Sequence, residues 1–360
     1  MTACESIGRT EYLRNLDRKI HSLRIPFSGG LDLTSRCNLR CVHCYLCPAK
    51  DPLSERPEME KERVCAIMDE LRDAGCLNLL ITGGEPLLRA DFRDIYEHAK
   101  RIGMLVTVFS NGTLITEELL DLFADLPPCN FEISMYGATP ATYEAVTRVR
   151  GSFGACIRGI EGLLEIGVDV TLKTVLMTLN RHEFFEIERT AKAYGVRFRF
   201  DAGLFPRIDG DQTPLAFRVS VDEVVEMEFS DQTRFLRARE FFGSHCNDRF
   251  KERFYGCGAG LTKFHIDSRG YILPCIIARV FRYDLLTGSF LDGWNRVIPV
   301  FREQKTRQDN ACIGCEALAV CGRCPAFFRL ENGDDNIPSK YLCQIGKLRH
   351  AAMCASLKGG

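Results

Sequence analysis

From about residue 30 to residue 200 the chain switches repeatedly between short apolar runs and stretches whose apolar residues recur three to four apart. The short runs predict six strands: Leu31–Thr34, Leu77–Thr82, Met104–Phe109, Phe131–Ser134, Val168–Met177 and Val196–Phe200. Between them the spacing predicts a helix over 57–74, with Pro57 at its first position and Val64, Ile67, Met68 and Leu71 on one face. Phe92, Ile95, Tyr96 and Ala99 form the next stripe. Thr116 reads as the N-cap of a helix to Leu126, and 140–147 and 153–166 are helical. Asn180 and Glu183 signal the start of a helix ending near Tyr194. Strand–helix units spaced by roughly 30 residues imply a parallel sheet with right-handed crossovers. The sheet is either open and doubly wound or a partial (β/α)6 TIM-like barrel. Six units fall short of a closed eight-unit barrel and leave one flank open.

The pattern changes after Asp201. Residues 205–220, FPRIDGDQTPLAFRVS, read as a connection, and 221–242 as a helix. From Cys246 the spacing is irregular and dense in cysteine, which predicts a small domain that depends on bound metal for its fold. The expected boundaries are an N-terminal extension (1–24), the barrel (25–204), a connecting segment (205–243), the cysteine-rich domain (244–350) and a tail (351–360).

Composition narrows the classes. With 360 residues, 46% hydrophobic, the chain can bury a large core, and a net charge of -1 gives no broad nucleic-acid footprint. The start, MTACESIGRTEYLRNL, has no apolar signal region, and no apolar run is long enough to span a membrane. The expectation is a cytoplasmic protein with neither nucleic-acid nor membrane partners. The 18 cysteines change the picture. Cys4, Cys65, Cys76, Cys129, Cys156 and Cys354 stand singly and read as buried thiols. The others cluster at 37–47 and 246–343, where metal or iron–sulfur ligation is a better account than a secreted disulfide scaffold.

SRCNLRCVHCYLC, residues 35–47, admits two ligand sets. Cys41, Cys44 and Cys47 could hold zinc with one further ligand. Cys37, Cys41 and Cys44 would instead leave one iron of a four-iron cluster without a protein ligand. In parallel α/β folds ligands bind beyond the carboxyl ends of the strands. There stand this loop, then Gly83, Gly84, Glu85 and Pro86, then Ser110, Asn111 and Gly112, then Ser134, Met135 and Tyr136, then Lys173 in the fifth strand and Asp201 after the sixth. Each string alone is ordinary: GGEP and SNG are common turns, Ser134 can simply end a strand, and Lys173 can snorkel. Their succession along one rim is the layout of a cofactor pocket.

The C-x-x-x-C-x-x-C loop after the first strand, followed by GGEP after the second, resembles the radical S-adenosylmethionine (radical SAM) enzymes over residues 30–200. The resemblance implies a partial barrel and a [4Fe–4S] cluster on Cys37, Cys41 and Cys44, whose open iron chelates SAM. Cys47 falls outside the implied ligand set. Gly83, Gly84, Glu85 and Pro86 would flank the SAM amino group, Ser134 would reach the ribose and Lys173 the carboxylate, with Ser110 and Asn111 as further contacts.

Residues 257–275, CGAGLTKFHIDSRGYILPC, and 312–324, CIGCEALAVCGRC, with Cys343 beyond, could form a zinc ribbon on Cys312, Cys315, Cys321 and Cys324. They also resemble the SPASM domain of radical SAM enzymes. That resemblance implies two auxiliary clusters, one on Cys312, Cys315, Cys321 and Cys343, the other on Cys257, Cys275 and Cys324. The last pair is spaced C-x2-C where the family usually has C-x3-C, and the inner set lacks a fourth ligand unless Cys246 supplies it. Such clusters accept electrons.

The implied activity is reductive cleavage of SAM to a 5′-deoxyadenosyl radical, hydrogen abstraction from a substrate, and electron transfer to an auxiliary cluster. An external reductant such as flavodoxin or ferredoxin would supply the electron. The chain most resembles the peptide-maturase branch, with modification of a ribosomally made peptide as the expected reaction. About 25 residues before the barrel leave no room for a fused peptide-recognition domain, so a separate recognition protein is an expected partner. The alternatives are dehydrogenation or epimerisation of a sugar or aminocyclitol, or a non-catalytic iron–sulfur carrier. Sulfatase maturation is disfavoured because Ile276 stands where those enzymes have an Asp base. Asp201 is the first candidate base, followed by Tyr136, Asp209, Asp211 and Asp267.

Overall fold

A computed structural model describes residues 8–46, 56–245 and 253–358. Cys4, Cys47 and Cys246, named above, lie outside the described residues. Six strands run where the apolar alternation predicts them: β1 (Ser28–Thr34), β2 (Asn78–Gly83), β3 (Leu105–Ser110), β4 (Asn130–Ser134), β5 (Val170–Val175) and β6 (Arg197–Asp201). They pair in parallel in sequence order, with helices packed outside, as a partial barrel requires. The core between sheet and helices is apolar and closed; Leu31, Leu33, Ile67, Phe123, Phe131 and Ile187 are fully buried there.

The sheet does not end at β1. Strand β7 (Lys263–Ile266) pairs with β1 in parallel, and β8 (Tyr271–Leu273) and β9 (Tyr283–Asp284) continue antiparallel, giving the order β6-β5-β4-β3-β2-β1-β7-β8-β9. The Gly29–Gly30 pair makes this junction possible. A Cβ at Gly29 would lie 2.2 Å from the Phe264 ring, and one at Gly30 would lie 2.6 Å from His265 Nδ1. His265, laid across Gly30, reaches Asp32 at 3.0 Å, and both side chains are buried. The cysteine-rich region is thus tied to the barrel by a shared sheet and a buried His265–Asp32 contact.

Several local expectations need correction. The second helix is Lys61–Asp73, and Pro57 does not open it. Residues before it are held extended, because the Met59 amide donates to the Ser268 carbonyl and Glu58 is bonded to the end of β1. The helix expected over 221–242 is two, Val221–Phe229 and Gln232–His245; Asp231 Oδ1 accepts the Arg234 amide and starts the second. Asn180 does not cap: its Oδ1 accepts the Met177 amide. Glu183 instead reaches the amides of Ala138 and Thr139, at the start of helix Pro140–Thr147. Helix Arg9–Ser22 lies in the stretch read as an extension, and helix Lys340–Lys358 runs through residue 350. Of the single cysteines, Cys76 and Cys156 are buried as expected, Cys65 and Cys354 are half-buried, and Cys129 is exposed.

Candidate active site

The first cysteine loop leaves β1 under tight constraint. The Glu58 carboxylate accepts from the Thr34 hydroxyl at 2.8 Å, from the Ser35 amide at 2.6 Å and from the Ser35 hydroxyl at 3.0 Å. Burial would raise the Glu58 pKa, but these bonds and Arg36 hold it below the usual value. Further along, the amides of Arg40 and Val42 donate to the carbonyls of Thr147 and Val146, the last of helix Pro140–Thr147. Helix-end carbonyls without an internal partner thereby fix the loop.

Cys37 is exposed, and Cys41 and Cys44 are half-buried. Cys37 Sγ accepts the Leu39 amide at 3.4 Å. Burial pushes the Cys37 thiol up to about 11, with Glu85 and Cys44 opposing its ionisation further. Burial raises Cys41 still more, and Cys44 and Cys37 add to it. Three mutually repelling thiolates in one half-buried loop are a donor set that a cationic cluster stabilises. Among the described residues, no three Cys, His, Asp or Glu side chains converge as around a single metal ion. Cys37, Cys41 and Cys44 supply the soft sulfur donors that a multi-iron cluster takes, whereas the zinc set of Cys41, Cys44 and Cys47 includes a residue outside those described.

GGEP closes against this loop. The Gly84 amide donates to the Thr34 carbonyl at 2.7 Å, and the Glu85 amide to the Arg36 carbonyl at 2.9 Å. Gly83 has φ +130°, and a Cβ at Gly84 would stand 2.2 Å from the Arg36 carbonyl oxygen. Pro86 starts a short 3-10 turn. The Glu85 side chain turns inward. It accepts from the Ser110 hydroxyl and the Asn111 amide, both at 2.8 Å, and burial raises its pKa to about 7. Asn111 Nδ2 then donates to Asn38 Oδ1 at 2.9 Å. The three strings after β1, β2 and β3 are one hydrogen-bonded unit. Ser110 and Asn111 serve it as positioning groups, and Ser110, Asn111 and the GGEP residues stand outside the cavity wall.

A cavity of about 270 Å³ opens beside this unit. Ser134, Tyr136, Lys173 and Asp201 all line it, so four candidates from three strands meet in one space. His43 and Tyr45 of the cysteine loop form another wall. His43 packs edge-on against Tyr136 at 4.7 Å, and burial lowers its pKa to about 4, leaving a neutral ring. The Tyr45 carbonyl accepts the Ile208 amide at 3.0 Å, which docks the PRIDGD stretch onto the cysteine loop. Lys173 does not merely snorkel: its Nζ pairs with Glu132 at 3.0 Å and lies over the Phe109 ring. Asp201 accepts the Gly203 amide at 2.7 Å. Burial pushes Tyr136 well above its ordinary pKa. Asp267 is taken up by Arg279 at 2.7 Å and by two backbone amides.

The C-terminal cysteines fall into two neighbourhoods. Ionisation of Cys312 is opposed by Cys343, Cys321 and Cys315, and that of Cys321 by Cys315 and Cys343. Ionisation of Cys324 is opposed by Cys275 and Cys257. Local structure sets each thiol: Cys324 precedes helix Pro325–Asn332, Cys343 lies in helix Lys340–Lys358, and Gly346 of that helix lets it approach Cys321. Sequence reasoning missed Glu58, Tyr45, Glu132 and Arg199. Strand alternation was the available signal for Glu132 and Arg199; Glu58 had none, because its role depends on where a distant strand ends.

Residues 31–192 match the model of the Radical SAM superfamily. An AdoMet-dependent heme synthase of Nitratidesulfovibrio vulgaris is 26% identical over 346 residues, covering 90% of this chain and 93% of that one. Mycofactocin maturase MftC of Mycolicibacterium smegmatis is 28% identical over 344 residues, covering 91% and 83%. Among solved structures, Streptococcus suis SuiB bound to S-adenosylmethionine superposes with a TM-score of 0.69 at 18% identity, over 95% of this chain and 82% of that one. SuiB has also been solved bound to its precursor peptide SuiA. The barrel, residues 31–192, matches the radical SAM family, and the relatives that span most of the chain mark it as an enzyme. Its relatives include heme synthases and mycofactocin maturases, and no helix among the described residues is long and apolar enough to cross a membrane.

Proposed function

We propose that this chain modifies a ribosomally made peptide, by cross-linking or oxidation, through a radical generated from SAM at Cys37, Cys41 and Cys44. The cavity carries the proposal: it joins the wall of the cysteine loop to Ser134, Lys173 and Asp201 on consecutive strands. When bound, the cluster and SAM supply a 5′-deoxyadenosyl radical. The chain's own residues do the rest. Glu58 and the helix-end carbonyls fix the three thiols, and Glu85 locks Ser110 and Asn111 against them. Ser134 is assigned the ribose and Lys173 the methionyl carboxylate. Asp201 is assigned the substrate proton. Cys312, Cys315, Cys321 and Cys343 are assigned one auxiliary cluster, and Cys257, Cys275 and Cys324 a second. The solved peptide complex of SuiB and the maturase relatives support a peptide substrate. Relatives named heme synthase support a small-molecule substrate as the second reading. An external one-electron reductant is needed in either case.

The test is anaerobic incubation of the reconstituted chain with SAM, dithionite and the peptide encoded by a neighbouring short reading frame. The expected result is 5′-deoxyadenosine and a peptide of altered mass. Asp201→Asn should lose the altered peptide and keep 5′-deoxyadenosine. Formation of 5′-deoxyadenosine with every such peptide unchanged would count against the peptide substrate.

A further inference from the structure

The cavity's charged groups are unevenly engaged. Lys173, Arg199 and Asp201 are the lysine, arginine and carboxylate side chains in its wall. Lys173 and Arg199 are register partners on β5 and β6, and both reach Glu132 of β4, Nζ to Oε2 at 3.0 Å and Nη1 to Oε1 at 3.3 Å. One carboxylate thus serves two cations. Lys173 holds the shorter contact and also lies over Phe109. Arg199 is the looser partner: its side chain is 65% exposed, and Glu132 is its one anionic partner among the described residues. A guanidinium has five N–H donors, and Glu132 occupies only part of that fork. Only the Arg199 end of the pair is exposed, so an incoming carboxylate can take the remaining guanidinium donors without displacing the nearly buried Glu132. Asp201, two residues along the same strand face, accepts the Gly203 amide, and the ion pair of Arg199 is with Glu132.

We propose that Arg199 is a specificity-determining residue that holds the carboxylate of an acidic residue in the substrate at the β6 end of the cavity. This rests on reading the cavity as the reaction pocket, and it deepens the peptide assignment by naming a charge the peptide must present.

Phenylglyoxal, which adds to accessible guanidinium groups, tests the proposal. The reconstituted chain with SAM bound is modified alone, with glutarate, with glutaramide, and with the blocked tripeptides acetyl-Gly-Glu-Gly-amide and acetyl-Gly-Gln-Gly-amide. Modification at Arg199 is read by peptide mass spectrometry, with Arg197 as the internal control. Glutarate and the glutamate tripeptide should slow Arg199 modification several-fold, and their amide counterparts should leave it unchanged. Equal rates with acid and amide probes would overturn the anionic site. Protection by glutarate but not by the glutamate tripeptide would overturn the acidic-peptide assignment in favour of a small acid. Failure to form 5′-deoxyadenosine in the same preparation would strike the catalytic reading alone, because protection reads Arg199 directly.

Discussion

The barrel site carries three candidate ligand thiols and the cysteine-rich region seven, and they are held by different means. In the barrel, Cys37, Cys41 and Cys44 ride on a loop whose start and middle are fixed by backbone contacts, Glu58 and a helix end. In the C-terminal region, Cys257, Cys275, Cys312, Cys315, Cys321 and Cys324 lie outside regular helices and strands, and of the seven candidate ligands only Cys343 is inside a long helix. The first site is shaped by hydrogen bonds that exist without any cluster. The second packs two of its thiols, Cys275 and Cys324, against a small apolar cluster of Phe254, Tyr255, Ala278 and Phe301, and metal bound there would add folding energy.

Gly84→Ala should break the barrel side of this comparison most severely. Its Cβ would meet the Arg36 carbonyl at 2.2 Å, and backbone strain there should cost about 3 kcal/mol or more. Thermal melting and iron content would show both losses. Next, Cys324→Ala should leave the strands β1 to β6 protected from hydrogen exchange while residues 257–275 and 312–343 lose protection. Uniform loss across the chain would show that the two regions fold as one unit.

Glu58→Gln should cost about 1–3 kcal/mol at neutral pH, because charged hydrogen bonds to Ser35 and Thr34 are weakened. The folded-state pKa of Glu58 is depressed, so its contribution is present above the unfolded value and lost as pH falls through the folded value. The gap between the two proteins, followed by denaturant melts, should therefore shrink below about pH 4. The smallest effect is expected of Lys173→Met, which should raise the KM for SAM about tenfold, roughly 1.4 kcal/mol, with kcat changed less. An unchanged KM would move the carboxylate contact elsewhere.

Much of the barrel was legible because its strands and helices each bury one apolar face, and period alone separates them. The rim residues were legible as well, since Ser134, Lys173, Tyr136 and Asp201 occupy strand ends that topology brings together. Glu58 was not, because a helical stripe beginning at Val64 gives no hint that residues 57–60 are held extended by Ser268. The sharing of one sheet between β1 and β7 was hidden too, because it depends on Phe264 and His265 lying across Gly29 and Gly30, more than 230 residues away in the chain. The bonds of the Glu85 side chain to Ser110 and Asn111 were likewise hidden. Long-range partners of this kind leave no period in the sequence.

The most direct measurement compares 5′-deoxyadenosine formation by three anaerobically reconstituted proteins: the intact chain, the Cys37/Cys41/Cys44 triple alanine variant, and the Cys312/Cys315 double alanine variant. The account predicts formation by the intact chain and the double variant and none by the triple variant. Formation by the triple variant, or its loss in the double variant with the first cluster intact by electron paramagnetic resonance, would contradict it.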